Sequence, residues 1–171
     1  IGFEVRRPEI AEDLRPGEQP QRRAERLALA KAQAIAALEP AAIVIGADQV
    51  AACEDQILDK PGDAATARTQ LRRQSGRTVQ FYTAVALRCR SRGHTDVFVD
   101  QTTVVLRALM DAEIEAYIAA DEPFDCAGAL RSEALGISLC ERITTSDPSA
   151  LIGLPLIRLA ASLRECGYRV P

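Results

Sequence analysis

A six-residue apolar run at 41–46 most constrains what this chain can fold into. It has no polar face, so a strand made from it is expected to be buried on both faces, as in sheets covered by helices. Asp48 and Gln49 stand at its end, and Asp59-Lys60-Pro61 follows. Strand ends are where open α/β sheets place their ligand chemistry. An acid and a lysine returned to one sheet edge suit a phosphate and its metal. The plain alternative for Asp48 is a strand-end carboxylate that caps a turn.

The segments around this run alternate in period. Residues 1–20 read as a strand, from the alternation of Phe3 and Val5, followed by a loop. Residues 20–39 read as a helix with Leu27, Ala30, Ala34 and Leu38 on one stripe; Pro20 suits the first turn and Pro40 ends it. Asp63 is placed to cap a helix to about Gln74, and Gly76 to close it. Two β-rich runs, 78–90 and 95–107, with a basic turn between them, predict a long antiparallel hairpin. A helix opening at Met110-Asp111-Ala112-Glu113 turns Ile114, Tyr117 and Ile118 inward. A loop at 124–138, a strand at 137–143 and a helix at 155–166, striped by Leu156, Leu159, Ala160 and Leu163, complete the chain. Helices alternating with strands, then a central hairpin, predict an α/β protein with a mixed sheet.

With 171 residues the chain is expected to form a single domain with a real core. A net charge of −3 gives no bulk electrostatic footprint for nucleic acid, and the absence of Trp disfavours a stacking platform for single strands. No stretch approaches the roughly 20 apolar residues of a membrane span. The five cysteines are odd in number, widely spaced and without a Cys-x-x-Cys pair, which argues for free thiols in the cytoplasm. His94 is the only histidine and falls at the hairpin tip, which disfavours a histidine triad and a multi-histidine metal site.

No glycine-rich phosphate loop of a common type occurs, so phosphate chemistry must use scattered Lys, Arg and carboxylates. Asp48 is the candidate base. A free Asp has a pKa of about 4, so the role needs a metal beside the water or burial of the carboxyl. Lys31 and Lys60 are the only lysines among 21 basic residues and flank Asp48 in sequence; each offers a point charge to phosphate. A third candidate is the segment from Ala127-Gly128 through Ser132-Glu133 to Gly136-Ile137, where Glu133, if buried, would accept hydrogen bonds from a purine edge; the plain alternative is a surface loop.

Several segments resemble the Maf family of nucleotide pyrophosphatases, in family order and over nearly the whole chain. They are Glu25-Arg26-Leu27-Ala28-x-x-Lys31-Ala32, Ile45-Gly46-Ala47-Asp48, Asp59-Lys60-Pro61, Ser75-Gly76-Arg77, Tyr82-Thr83, Cys126-Ala127-Gly128 and Ile152-Gly153-Leu154-Pro155. Asp48-Gln49-Val50, Phe81-Tyr82-Thr83 and Ser132-Glu133 are similar to the branch acting on 7-methyl-GTP. The resemblance implies two lobes around a deep cleft and hydrolysis of a nucleoside triphosphate between its α and β phosphates. It also implies a divalent cation, Mg²⁺, Mn²⁺ or Co²⁺. By that similarity Asp48 is the proton acceptor, Gln49 and Glu133 read the base, Lys31 and Lys60 hold phosphate or water, and Glu12 lies near the metal. A homodimer is compatible with it, and a non-catalytic role in septum formation or action on other nucleotides are the alternatives.

The chain departs from the family in two places. The family's opening strand and Ser-x-Ser-x-x-Arg phosphate loop fall before Ile1, so the strand and loop are expected to be missing from this chain. Arg131 stands where the branch has Lys, and Ala134 where it commonly has Gly.

Overall fold

The structure, a computed structural model, describes residues 2–54 and 56–170. In chain order they form α1 (Pro20–Leu38), β1 (Ile43–Cys53), β2 (Gln56–Leu58), α2 (Ala64–Gln74), β3 (Thr78–Cys89), β4 (His94–Leu106), α3 (Asp111–Asp121), β5 (Cys140–Thr144) and α4 (Leu156–Glu165). Short 3₁₀ turns lie at Arg90–Arg92, Ala127–Ala129 and Leu135–Leu139.

The strands make one five-stranded sheet in the order β2-β1-β3-β4-β5. All four pairings are antiparallel, where the sequence pattern predicted a mixed sheet. The connection between β1 and β3 is the reason. β2 reverses the chain, α2 carries it back, and β3 therefore enters beside β1 in the opposite direction. The long hairpin forms as expected, with β3 and β4 in register from Thr78↔Val105 to Cys89↔His94. Gly93, at φ 61°, supplies the left-handed residue that closes its tip next to His94.

One face of the sheet is covered by α1. There Ala24, Ala28, Ala32 and Ala36 pack on Val44, Val50, Ala84 and Ala86. The opposite face carries two clusters. Leu71 of α2 and Ile114, Tyr117 and Ile118 of α3 bury Phe81, Val79 and Val104. At the other end Leu159 and Leu163 of α4 bury Val85 and Leu87.

Local signals account for the helix ends. Asp63 accepts a hydrogen bond from Thr66 N at 2.8 Å and starts α2, and the Glu113 carboxylate accepts from Met110 N at 2.8 Å and starts α3. Gly76, at φ 68°, ends the turn after α2.

Three further expectations fail in whole or in part. Residues 2–19 contain no strand: Phe3 and Val5 are 83% and 86% exposed, because alternation forms a strand only where a neighbouring edge and a core accept it. The buried face of α1 joins the predicted Leu27 to the row Ala24, Ala28, Ala32 and Ala36, while Ala30 and Ala34 are only partly buried and Leu38, at the last helical position, stays exposed. In α4, Leu156 is likewise exposed, while Ser162 is buried with its hydroxyl donating to Asp96.

Candidate active site

The site begins with the absence of a side chain. A Cβ on Gly46 would overlap the Ala28 carbonyl oxygen and lie 2.6 Å from the Ala32 nitrogen. Glycine on β1 and alanines on α1 thus let helix and strand backbones touch. Gly46 and Asp48 are two residues apart and share the α1 face. The close approach brings Lys31 Nζ within 2.6 Å of Asp48 Oδ1, and the same ammonium lies 3.0 Å from Glu12 Oε1. Asp48 is the most enclosed of the three, with its side chain 10% exposed.

Asp48 does not sit at a strand end. It lies in the middle of the eleven residues of β1, paired with Ala84 of β3. What opens it to ligand is the other side of the strand. β2 pairs only with Ala51–Cys53, so among the described residues the stretch 43–50 has no strand neighbour on its outer side. Adjacent residues on this bare edge point to opposite faces, yet Asp48 and Gln49 both border one cavity of about 480 Å³. That volume lies in the range of small-molecule sites, roughly 300–1,000 Å³. The same edge explains why β1 is not buried on both faces, with Ile45 41% exposed.

Gln49 points to the face away from α1. Its Nε2 donates to Thr83 Oγ1 at 2.9 Å and to the carbonyls of Ala150 and Leu151 at 3.1 Å. The Thr83 hydroxyl also donates to Ala150 O, at 2.9 Å. The 147–153 loop is fixed from within by the buried Asp147, which accepts from Ser149 N at 3.0 Å and from Ile157 N at 2.7 Å. Burial pushes the Asp147 carboxyl up, but the Ser149 hydroxyl, with these two backbone donors, outweighs it and holds its pKa below the usual value. With Nε2 engaged, Oε1 is the end of Gln49 left to meet a ligand.

The third wall is the 125–133 segment, clamped by α2 and α3. Gln74, fully buried on α2, donates to Gly128 O at 2.7 Å. Tyr117 on α3 donates its hydroxyl to Ala129 O at 3.0 Å and accepts from Arg131 N at 2.9 Å. A Cβ on Gly136 would lie 3.0 Å from Arg131 N, so the chain folds tightly back there. Of the two readings of its segment the structure has the surface loop: Glu133 is 44% exposed at the cavity rim with Arg131 Nε 3.6 Å from its carboxylate. It is carried on a surface turn outside the packed layer, which leaves it open to solvent.

Burial raises the pKa of Asp48 above that of an ordinary carboxyl, against the opposing pull of Lys31. Burial also depresses Lys31, but its hydrogen bonds and charge contacts with Asp48 and Glu12 outweigh this, and its pKa stays above the ordinary value. The Cys126 thiol is pushed up to about 11, first by burial and then by Asp125 and Glu133, so it is a neutral wall of the cavity.

Glu12, Lys31, Asp48, Gln49, Lys60 and Glu133, the six residues the sequence singles out, all border this one cavity. Arg23 and Asp125 border it as well. The sequence carries a signal for Arg23: it precedes Leu27 and Lys31 by four and eight residues, a spacing that sets all three on one helix face. His94 is not among the lining residues.

The family model described as Maf-like protein matches residues 1–166. This chain belongs to the Maf family. Among curated Maf relatives, a protein of Xanthomonas oryzae is 51% identical over 172 residues, covering 100% of this chain and 89% of its own length. One from Albidiferax ferrireducens is 48% identical over 170 residues, covering 99% and 85%. One from Cupriavidus metallidurans is 48% identical over 168 residues, covering 98% and 84%. Each is named 7-methyl-GTP pyrophosphatase. The five cysteines of this Maf chain are free, and none of its described helices is long and apolar enough to cross a membrane.

Proposed function

We propose that this chain is a hydrolase that cleaves the α–β phosphoanhydride of 7-methyl-GTP, releasing the monophosphate and pyrophosphate. One observation carries the reading. A buried carboxylate, held through a single oxygen by Lys31, shares a cavity with a second lysine and with the amide of Gln49 and carboxylate of Glu133. The activity for which the relatives are named supports the substrate.

Asp48 Oδ1 is occupied by Lys31, so Oδ2 is free to accept a proton from water. The water oxygen then bonds to phosphorus, the anhydride P–O bond breaks, and its electron pair stays on the departing phosphate oxygen. Burial makes Asp48 a stronger base than an exposed carboxylate. Lys31 fixes its rotamer. Lys60, exposed and without an ion-pair partner among the described residues, is available to phosphate. Glu133 and the free oxygen of Gln49 receive guanine hydrogens at the base end. N7-methylation makes the ring cationic and strengthens its donation to a carboxylate.

A divalent cation fits the donor set as a companion of the substrate. No cluster of three or more metal-ligating side chains exists among the described residues, but the Glu12 and Asp48 carboxylates both border the cavity, each holding the Lys31 ammonium through one oxygen and leaving its other oxygen as a donor. Two carboxylates, with phosphate oxygens and water completing the shell, suit Mg²⁺ and its relatives. When bound, the ion would neutralise phosphate charge and lower the pKa of the attacking water. The free thiols suit a cytoplasmic setting.

A pyrophosphate-release assay over a nucleotide panel with Mg²⁺, Mn²⁺ and Co²⁺ tests the reading. 7-methyl-GTP should turn over best, and Asp48→Asn should lower kcat by roughly 10²-fold or more. Glu133→Gln should reduce kcat/KM for 7-methyl-GTP by about 1–3 kcal/mol, and less for GTP. A better substrate elsewhere in the panel would reassign the base. Release by Asp48→Asn at more than half the parent rate would remove Asp48 from the chemistry. No release with any nucleotide would leave a non-catalytic role.

A further inference from the structure

Arg23 lies outside the segments that carry the family resemblance, yet it is one of three residues that α1 presents to the cavity. Arg23, Leu27 and Lys31 follow one another at four-residue spacing, and each borders it. Arg23 is buried, at 9% exposure. A guanidinium has five donors, and a buried one normally has them met. Here one donor is met: NH1 to Asp59 Oδ1 at 2.8 Å. Nε is buried without a partner among the described residues. Asp59 is an incomplete counter-charge, because its own side chain is 55% exposed. Leaving a buried cation this poorly paired is costly unless something else completes it. Asp59 is also the neighbour of Lys60, so the contact joins Arg23 to the segment that carries the free lysine.

We infer that Arg23 is a phosphate-binding residue, anchored by Asp59 and offering its remaining donors to the phosphate chain of the substrate beside Lys60. The inference rests on the reading of the cavity as a nucleotide site. A planar guanidinium suits this task, because its fork matches two phosphate oxygens at once. It divides labour along one helix face. Lys31, eight residues on, is committed to Asp48 and Glu12 and orients the base. Arg23, paired once, retains capacity for ligand. A purely architectural tether of the Asp59 segment is the competing role, and it predicts loss of stability without loss of phosphate affinity.

Inorganic pyrophosphate separates the two, since it has no base and needs no turnover. Calorimetric titration of pyrophosphate with Mg²⁺ into the full chain and into Arg23→Gln gives the affinity. Thermal melts report folding, and steady-state kinetics with 7-methyl-GTP separate KM from kcat. Arg23→Gln is expected to weaken pyrophosphate binding about tenfold or more, the effect of one charged hydrogen-bonding partner. It should raise KM by more than it lowers kcat. An unchanged pyrophosphate Kd in a folded Arg23→Gln protein overturns the inference, as does a parent chain that binds no pyrophosphate. Should Arg23→Gln fail to fold, Arg23→Lys decides, because it keeps the charge and loses the fork. An affinity reduced about threefold or more supports the role, and an unchanged affinity overturns it. Arg23-dependent pyrophosphate binding in a protein that does not hydrolyse 7-methyl-GTP would refute the proposed substrate and leave this inference standing.

Discussion

The two faces of the sheet are packed with side chains of different size. Against α1 the buried layer is mostly small, with Ala24, Ala28, Ala32, Ala36, Ala84, Ala86 and the bare backbone of Gly46, and Val44 and Val50 as its largest buried members. Against α2 and α3 it is made of Leu71, Phe81, Leu106, Ile114 and Tyr117. Large side chains remove the most apolar area from water and carry most of the stability that burial gives. Small ones hold backbones close together. The lysine–aspartate pair is built on the small-residue face, where an error in backbone spacing is transmitted directly to a hydrogen bond. The bulky face reaches the site indirectly, through Gln74 and Tyr117, which clamp the 125–133 segment.

Four substitutions test this division. The largest effect is expected from Leu71→Ala, which empties a fully buried position on the bulky face. It should cost about 2–5 kcal/mol of unfolding free energy in denaturant melts and leave kcat of the folded protein near the parent value. A fall in kcat parallel to the loss of stability would dissolve the distinction between the faces. Gly46→Ala makes the converse test. The added Cβ forces α1 away from β1 and moves Lys31 relative to Asp48. A shift of about 1 Å is enough to lower kcat by roughly 10²-fold, with a smaller change in stability. Normal turnover by this variant would show that the close approach is not needed.

Tyr117→Phe asks how far the bulky face extends into the site. It removes the hydroxyl that donates to Ala129 O and accepts from Arg131 N. Leaving those buried groups unmet should cost about 1–3 kcal/mol. KM for 7-methyl-GTP should rise while kcat holds, because the loosened segment carries Glu133 and not Asp48. A change confined to kcat would contradict the assignment of this wall to the base. Lys31→Met removes the partner of Asp48 outright and is read as a pH profile. Burial raises the pKa of Asp48 and Lys31 pulls it back. Without the ammonium the pKa rises further, and the base form appears only at higher pH. The acid limb of kcat/KM should therefore move to higher pH. A limb that stays in place, or moves down, would mean that Lys31 does not act on the group that titrates.

Much of this was legible in the chain itself. The ends of α2 and α3, the β3–β4 hairpin and the gathering of six named residues around one cavity follow from the sequence. For the elements the reason is local: a capping carboxylate three residues from its donor, or a glycine at a left-handed turn, acts within a few residues of chain. For the site residues the motif order was the guide. Tertiary contact decided the rest. Leu27, Ala30, Ala34 and Leu38 have the helical spacing of a buried stripe; Leu27 is buried, but the rest of the buried face is the alanine row, because Gly46 accepts only a helix without bulk at the contact. Asp48 lies in mid-strand because β1 runs on to Cys53, and it is open to ligand because β2 covers only the last three residues of that strand. Glu133 is exposed on a surface turn and Arg23 is buried beneath the cavity, a difference set by the packing around each. Periodicity states which residues share a face; which face is buried, and which edge is bare, depends on shape and pairing between segments tens of residues apart.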